Sequence, residues 1–242
     1  GVAVTYPGRP RPALGGVTFT AEPGTVTAIV GGSGGGKSTL IAALLGFVPL
    51  SAGSVRAEAG DISAPIDDLD LTAWRSRIAW LPQQSHVVDA DLTATPTVLE
   101  AVTLRVPDAG PELAWAALTA AGLADEVRAL PDGIDTPLAA DGSGLSIGQL
   151  QRLSLARALL GAADVVLLDE PTAALDPRTE DVVVEAITQV AARGATVLVV
   201  AHRPALVAVA HQLVRIEAPA ADDAVDEPPA SAAAGTIAGA GW

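Results

Sequence analysis

Cysteine and methionine are absent from this 242-residue sequence, and only 3% of its residues are aromatic. Without cysteine, the chain can form neither a disulfide framework nor a thiolate site. Its core must therefore be built from Ala, Val, Leu and Ile, and the apolar fraction of 50% is large enough for one. No apolar run reaches the roughly 18 residues of a membrane-spanning helix, and the first residues show no apolar signal segment.

Positive charge is also scarce: the chain has 14 Lys and Arg residues against 28 Asp and Glu residues, so its formal net charge is −14. This balance argues against a nucleic-acid partner, which needs a basic face. Of the 14 Lys and Arg residues only one is a lysine, Lys37, which marks a position where a compact ammonium group is needed. The opening residues 1–5 resemble the middle of a strand and carry no initiator methionine, so we interpret the chain as a piece of a longer protein.

Short apolar runs alternate with segments of helical periodicity along the chain. This alternation predicts an α/β fold with a mainly parallel sheet. Residues 1–217 are expected to form one domain with a helical subdomain at about 84–160, and residues 218–242 are expected to be a disordered low-complexity tail. The predicted strands are 26–30, 78–81, 165–168 and 196–200, and the predicted helices are 38–47, 97–105, 111–121, 146–160 and 178–193.

A glycine-rich phosphate loop, GGSGGGKS at residues 31–38, follows the first predicted strand and opens a helix. Such a loop turns its backbone N–H groups toward the β- and γ-phosphates of ATP, and the helix N-terminus adds its dipole. An ordinary Gly/Ser turn would explain the glycines, but not the position of the only lysine. The loop therefore predicts a site for nucleotide phosphates with Mg²⁺ held by the Ser38 hydroxyl, and its expected binding residues are Gly31, Gly34, Gly35, Gly36, Lys37, Ser38 and Thr39.

Two adjacent carboxylates, Asp169 and Glu170, come directly after an apolar strand. Ligands of parallel sheets bind at this end of the strands. We expect Asp169 to hold Mg²⁺ through water and Glu170 to act as the general base toward the attacking water. Two acids that merely cap a strand would look the same in isolation. Asp176 is a weaker candidate, because Asp before Pro is also an ordinary turn starter.

Together, six elements of the sequence resemble the nucleotide-binding domains of ABC transporters, from about Val2 to Ile216. This resemblance implies the phosphate-loop ATPase fold with an added small antiparallel β subdomain. The elements occur in the family's order: the phosphate loop, Leu81-Pro82-Gln83, Leu145-Ser146-Ile147-Gly148-Gln149, Leu168-Asp169-Glu170-Pro171-Thr172, Ala174-Leu175-Asp176 and Ala201-His202-Arg203.

The resemblance also implies roles for single residues. Tyr6 would stack on adenine, and His202 would contact the γ-phosphate. Gln83 would touch Mg²⁺ and the attacking water and would link the nucleotide site to a transmembrane partner. Each residue also has a structural alternative: a plain strand aromatic for Tyr6, a polar loop residue for Gln83 and a satisfied strand-end histidine for His202.

Residues 145–149, LSIGQ, are called the signature segment below. In the family, this serine, glycine and helix N-terminus face the γ-phosphate held by the other subunit, which implies a head-to-tail dimer with two composite sites. Ser146, Gly148 and Gln149 match the pattern, and Asp176 would signal across the dimer interface. Ile147 departs from it, because the family usually has glycine there.

The expected partners are therefore ATP, a second nucleotide-binding domain, identical or different, and the transmembrane domain of an exporter at the cytoplasmic side of the inner membrane. The aliphatic third residue of the signature segment and the Gln-Arg-Leu run after it also resemble the CydD-type subunit of the CydDC thiol exporter. The alternatives are a non-transport ABC ATPase of repair or translation and a non-catalytic nucleotide-binding module. A single domain without a heptad run favours transport, and the presence of Glu170 and His202 favours catalysis.

Overall fold

The computed structural model describes residues 1–83, 95–139, 145–173 and 175–217. The predicted tail at 218–242 lies outside these described residues. Two 3-10 turns occur at Ile66–Asp68 and Gly133–Asp135. The strands are β1 Val2–Val4, β2 Leu14–Val17, β3 Val26–Val30, β4 Arg56–Ala59, β5 Ile62–Pro65, β6 Ile78–Leu81, β7 Val165–Asp169, β8 Thr196–Val200 and β9 Gln212–Arg215, and the helices are α1 Lys37–Leu44, α2 Leu71–Ser76, α3 Val98–Thr103, α4 Pro111–Ala120, α5 Ala124–Arg128, α6 Ile147–Leu159, α7 Pro177–Ala192 and α8 Pro204–Ala208.

A five-stranded parallel sheet in the order β6-β7-β8-β3-β9 forms the centre of the fold. The four strands predicted from the sequence are confirmed. They could be predicted because continuous apolar runs are typical of strands that are buried on both faces. The edge strand β9 was not predicted. Three of its four residues are exposed, so its sequence does not form such a run.

Helices and loops cover both faces of this sheet, and two apolar cores result. Side chains alternate along each strand, so neighbouring residues enter different cores. In β3, Ala28 belongs to the core shared with α3, α4, α6 and α7, whereas Ile29 belongs to the core shared with α1 and β2. The sheet is therefore held between two layers, which fixes its strand ends.

Helices α3, α4 and α5 and the first turns of α6 fall within residues 84–160, where a helical subdomain is expected. The described residues of that range, 95–139 and 145–160, contain no strand. Helix α6 packs against α3 and α4, and this contact joins the subdomain to the sheet. The helix predicted at 178–193 is confirmed as α7, with its ends shifted by one residue.

Two small antiparallel pairs, β1 with β2 and β4 with β5, complete the fold and agree with the predicted antiparallel subdomain. The second pair is largely exposed. Among the described helices, none is long and apolar enough to cross a membrane.

Candidate functional site

The phosphate loop, Gln83, Asp169, Glu170 and His202 lie at one edge of the parallel sheet. The phosphate loop follows β3, Asp169 ends β7, and Glu170 comes next. His202 follows β8 closely, and Gln83 follows β6. Because parallel strands point the same way, their carboxyl ends share an edge. Residues that are far apart in sequence, such as Lys37 and His202, are therefore brought to one cavity by the topology.

The phosphate loop is closed by its lysine. The Nζ of Lys37 donates hydrogen bonds to the carbonyl oxygens of Gly31, at 2.9 Å, and Gly32, at 2.8 Å. Lys37 is only 8% exposed. An ammonium group has three donors, so two hydrogen bonds leave one free. The lysine thus already places its positive charge inside the loop.

Helix α1 begins immediately after Gly36, which has φ 99° and provides no side-chain cap. The first N–H groups of α1 therefore have no capping partner and suit an anion. Glycine is required at this position for a second reason. A Cβ on Gly36 would lie 2.3 Å from the carbonyl oxygen of Ala13, which real Cβ atoms do not approach.

The Ser38 hydroxyl lies beside Asp169, with Ser38 Oγ donating to Asp169 Oδ2 at 3.4 Å. Asp169 is 5% exposed. Burial raises the pKa of the Asp169 carboxyl above its ordinary value, and the charge of Glu170 raises it further. The Ser38 hydrogen bond and the charges of Lys37 and His202 lower this pKa. A buried carboxylate in this setting is stabilised by an added cation.

These residues fit Mg²⁺. Within the described ranges, no three or more His, Cys, Asp or Glu side chains are grouped as metal ligands. The available donors are instead one hydroxyl, one buried carboxylate and the amide of Gln83, which lines the same cavity. A small set of oxygen donors suits Mg²⁺, which takes few protein ligands and completes its shell with water and phosphate oxygens.

Glu170 has an unusual backbone conformation and a close partner. Its φ is 54°, and it is the only non-glycine residue with positive φ in the described part of the chain. Its Oε1 lies 3.0 Å from Nε2 of His202. The Glu170 N–H donates to the carbonyl of Val200 in the neighbouring strand at 3.3 Å. Glu170 is thus held at the end of the sheet by both its main chain and its side chain.

One open cavity of about 770 Å³ collects most of the predicted residues. It is called the nucleotide cavity below. Tyr6 lies in the loop after β1, where it lines this cavity and also packs against the core that contains Val4. Arg9 and Arg11, which the sequence reasoning did not single out, also line this cavity. The predicted residues that line it are Tyr6, Gly34, Gly36, Lys37, Ser38, Thr39, Gln83, Asp169, Glu170 and His202.

The signature segment does not line the nucleotide cavity. Ser146 and Gln149 form a capping box at the start of α6: Gln149 N donates to Ser146 Oγ at 3.2 Å, and Ser146 N donates to Gln149 Oε1 at 2.8 Å. Ile147 is the first residue of α6 and is 85% exposed. Its side chain is thus available for a partner rather than for the core.

Gly148 and Asp176 line a second, smaller cavity of about 380 Å³. The Asp176 carboxylate caps α7, because Oδ1 accepts from the N–H groups of Arg178 and Thr179 and Oδ2 accepts from the Thr179 hydroxyl. The Thr179 hydrogen bonds are the main cause of a lowered pKa of Asp176. The ordinary turn-starting role that the sequence suggested for Asp176 is therefore present.

Three polar residues around the site were assigned no role from the sequence. Gln151 donates through Nε2 to the carbonyl oxygen of Glu170 at 2.9 Å. Arg152 pairs with Glu126 through two hydrogen bonds, at 2.7 and 2.9 Å. Arg203 pairs with the buried Glu180 at 2.8 Å. The Gln-Arg run after the signature segment was visible in the sequence, but nothing in its spacing indicates these contacts.

Comparison with known proteins gives consistent results. The ABC transporter family model matches residues 14–173. The chain is 41% identical over 216 residues to the mycobactin import ATP-binding/permease protein IrtA of Mycobacterium tuberculosis, which covers 88% of this chain and 24% of that protein. It is 39% identical to the type I secretion system ATP-binding protein PrsD of Rhizobium meliloti, covering 86% of this chain and 34% of that protein.

A solved structure of a bacterial Atm1-family ABC exporter with ATP bound superposes with a TM-score of 0.77. The identity is 30%, and the match covers 89% of this chain and 36% of that chain. The present chain thus spans only about a quarter to a third of the lengths of these relatives.

Proposed function

The chain belongs to the ABC transporter family as an ATP-binding domain of exporter type, and we propose on that premise that it hydrolyses ATP to drive a transmembrane partner. Members of this family are ATPases. The observation that carries the proposal is the nucleotide cavity, in which the phosphate-loop lysine, a buried carboxylate and the Glu170–His202 pair occur together.

ATP would bind with its phosphates at the N-terminus of α1. The backbone N–H groups of the phosphate loop would donate to the β- and γ-phosphates. Room for these phosphates is left by the glycines of the loop, Gly31, Gly34, Gly35 and Gly36. Lys37 would add its charge to the same oxygens, and Thr39 lies in the first turn of α1 beside them. Tyr6 would stack on adenine at the other end of the cavity.

Mg²⁺ would be held by Ser38 and Gln83, with Asp169 acting through water. When bound, the ion would neutralise phosphate charge. The raised pKa and burial of the Asp169 carboxyl support this assignment, because a cation offsets the cost of a buried negative charge.

Hydrolysis would start from a water held between Gln83 and Glu170. Glu170 would accept a proton from this water, and the oxygen of the water would form a bond to the γ-phosphorus. The bond between the γ-phosphorus and the oxygen that bridges it to the β-phosphate would break in the same step. His202 would donate to the γ-phosphate as charge develops there. The 3.0 Å contact with Glu170 supports a role for His202 in the same step.

A second nucleotide-binding domain would complete each site. Ser146, Gly148, Gln149 and Asp176 do not line the nucleotide cavity, whereas Ile147 at the start of α6 is almost fully exposed. This arrangement supports the head-to-tail dimer, in which the signature segment of one chain faces ATP held by the other. The partner is an identical or a different subunit.

The transmembrane partner would be that of an exporter-type ABC protein, which puts this chain at the cytoplasmic side of the inner membrane. Thiol export of the CydD type stays a prediction based on the residues of the signature segment, and its test is transport of cysteine or glutathione into inverted membrane vesicles. No observation favours the alternative of a non-transport ABC ATPase.

The test of the ATPase assignment is Glu170→Gln, which keeps the shape of the side chain but cannot accept the proton. We expect ATP affinity to be retained and turnover to fall at least about a hundredfold. Glu112→Gln, on the exposed side of α4, is the matched control and should leave both unchanged. Turnover of Glu170→Gln near that of the parent chain would contradict the assignment.

A further inference from the structure

The side chain of Gln151 reaches from α6 to the main chain of Glu170. Its Nε2 donates to the Glu170 carbonyl oxygen at 2.9 Å. We propose that Gln151 is a positioning residue that fixes the backbone of Glu170 and thereby aims its carboxylate. This inference rests on the proposed function, because it presumes that Glu170 is the general base.

The backbone of Glu170 needs such a contact. A φ of 54° is disfavoured for residues with a Cβ, so it persists only where surrounding contacts impose it. Two other main-chain hydrogen bonds act here, from Glu170 N to Val200 O and from Ala173 N to Glu170 O, both at 3.3 Å. The bond from Gln151 is the shortest of the three.

The direction of the Glu170 side chain depends on this backbone. The Glu170 carbonyl belongs to the peptide that joins Glu170 to Pro171, and the Cα of Glu170 is one end of that peptide unit. A donor on this oxygen therefore restricts rotation about the Cα–C bond. With its backbone fixed, the Glu170 carboxylate stays within reach of Nε2 of His202, 3.0 Å away.

Gln151 is also placed to connect two sites. It lies on α6, five residues after Ser146, so the helix that starts at the signature segment also touches the base of its own chain. In the proposed dimer, the start of α6 faces the nucleotide held by the partner. Movement of α6 would then act on Glu170 through a single hydrogen bond.

The first test compares Gln151→Met and Gln151→Glu, which keep the length of the side chain but lose the N–H donor. In the full chain we expect kcat for ATP to fall about tenfold or more, because small misplacements of a catalytic group are costly. The KM for ATP should stay close to that of the parent chain, since neither variant touches the phosphate loop. The melting temperature is measured to show that each variant is folded at the assay temperature.

Gln189→Met is the matched control, because Gln189 Nε2 donates only to the exposed Glu185 on α7. It should leave kcat unchanged. A kcat of both Gln151 variants within about twofold of the parent would overturn the proposal. A rise of KM that accounts for the whole loss of kcat/KM would also overturn it, because the effect would then be on binding.

Glu170→Gln in the same series separates this proposal from the ATPase assignment. If Glu170→Gln abolishes turnover while both Gln151 variants retain it, only the positioning role is wrong. If Glu170→Gln itself retains turnover, the base assignment fails. If Gln151→Met does not fold, Gln151→Glu decides the outcome alone.

Discussion

Oε1 of Glu170 and Nε2 of His202 lie 3.0 Å apart at the ends of two adjacent parallel strands. An ionised carboxylate only accepts hydrogen bonds, so the imidazole must donate from Nε2 in this contact. The two residues are therefore coupled before any phosphate is present. A change at His202 will act on Glu170 as well as on the substrate.

This coupling predicts a large effect of His202→Ala. Turnover should fall about 100- to 1,000-fold, the range expected when one donor to developing charge is removed. His202→Gln keeps an N–H donor and should retain more activity than His202→Ala. His211→Gln is the control, because His211 accepts from the backbone of Val26 outside the nucleotide cavity. Equal rates for His202→Ala and the parent chain would exclude this role.

Lys37 is predicted to be irreplaceable by arginine. Lys37→Ala should weaken ATP binding at least about tenfold, or about 1.4 kcal/mol. Lys37→Arg should not restore activity, because a planar guanidinium is too wide for a loop closed around an ammonium. ATP binding is measured by calorimetry. Arg193→Ala is the control, because it also removes a positive charge, but an exposed one at the C-terminal end of α7. Full turnover by Lys37→Arg would show that the loop accommodates either cation.

Gly36→Ala is predicted to destabilise the fold and to block the phosphate loop. Gly60→Ala is the matched control, since Gly60 also has positive φ, 57°, but a Cβ there meets nothing within 4 Å. Both variants incur backbone strain of about 1–2 kcal/mol. Only Gly36→Ala adds the contact with Ala13 O. Its free energy of unfolding, measured in urea, should therefore fall further, and equal losses would be inconsistent with this contact.

Ile147 is predicted to tune the site of the partner subunit. Ile147→Gly should change hydrolysis in the partner's phosphate loop by no more than about tenfold, or about 1.4 kcal/mol of barrier. It should leave the ATP affinity of the isolated chain unchanged. Ser146→Ala should cost more, because it removes a hydrogen bond to developing charge.

The measurement compares two mixed dimers. In the first, one subunit carries Ile147→Gly and the other carries Lys37→Ala. In the second, one subunit carries both changes and the other carries neither. Ile62→Gly is the control, because Ile62 is 71% exposed on β5 but lies away from α6. If only the altered subunit's own site responds, the assignment of the signature segment to the partner's site is wrong.

The sequence predicted the parts of the fold that depend on local apolar patterns. β3, β6, β7 and β8 are strands of the parallel sheet with continuous apolar runs, and each was predicted within one residue. β4, β5 and β9 were not located, because they are short and largely exposed. Their pairing depends on neighbouring strands and not on a pattern of their own.

The sequence also indicated most of the candidate site, because phosphate binding restricts residue types at fixed spacing. It could not indicate the Gln151–Glu170 contact, which joins a side chain to a main-chain carbonyl 19 residues away. Any residue in the Glu170 position offers such a carbonyl, so no residue type marks the contact. The positive φ of Glu170 is equally invisible, since most residues with that conformation are glycines.

Lys37, buried in the phosphate loop, is the sole side-chain amine in these 242 residues. An amine-reactive reagent therefore has one target besides a free N-terminus, and that target lies in the nucleotide cavity. Labelling by a small aldehyde or ester would report occupancy directly: slow in the presence of ATP and faster without it. Mass spectrometry would measure this protection of Lys37 as the loss of a single mass shift, so the only lysine of the chain can serve as a chemical probe of the nucleotide cavity.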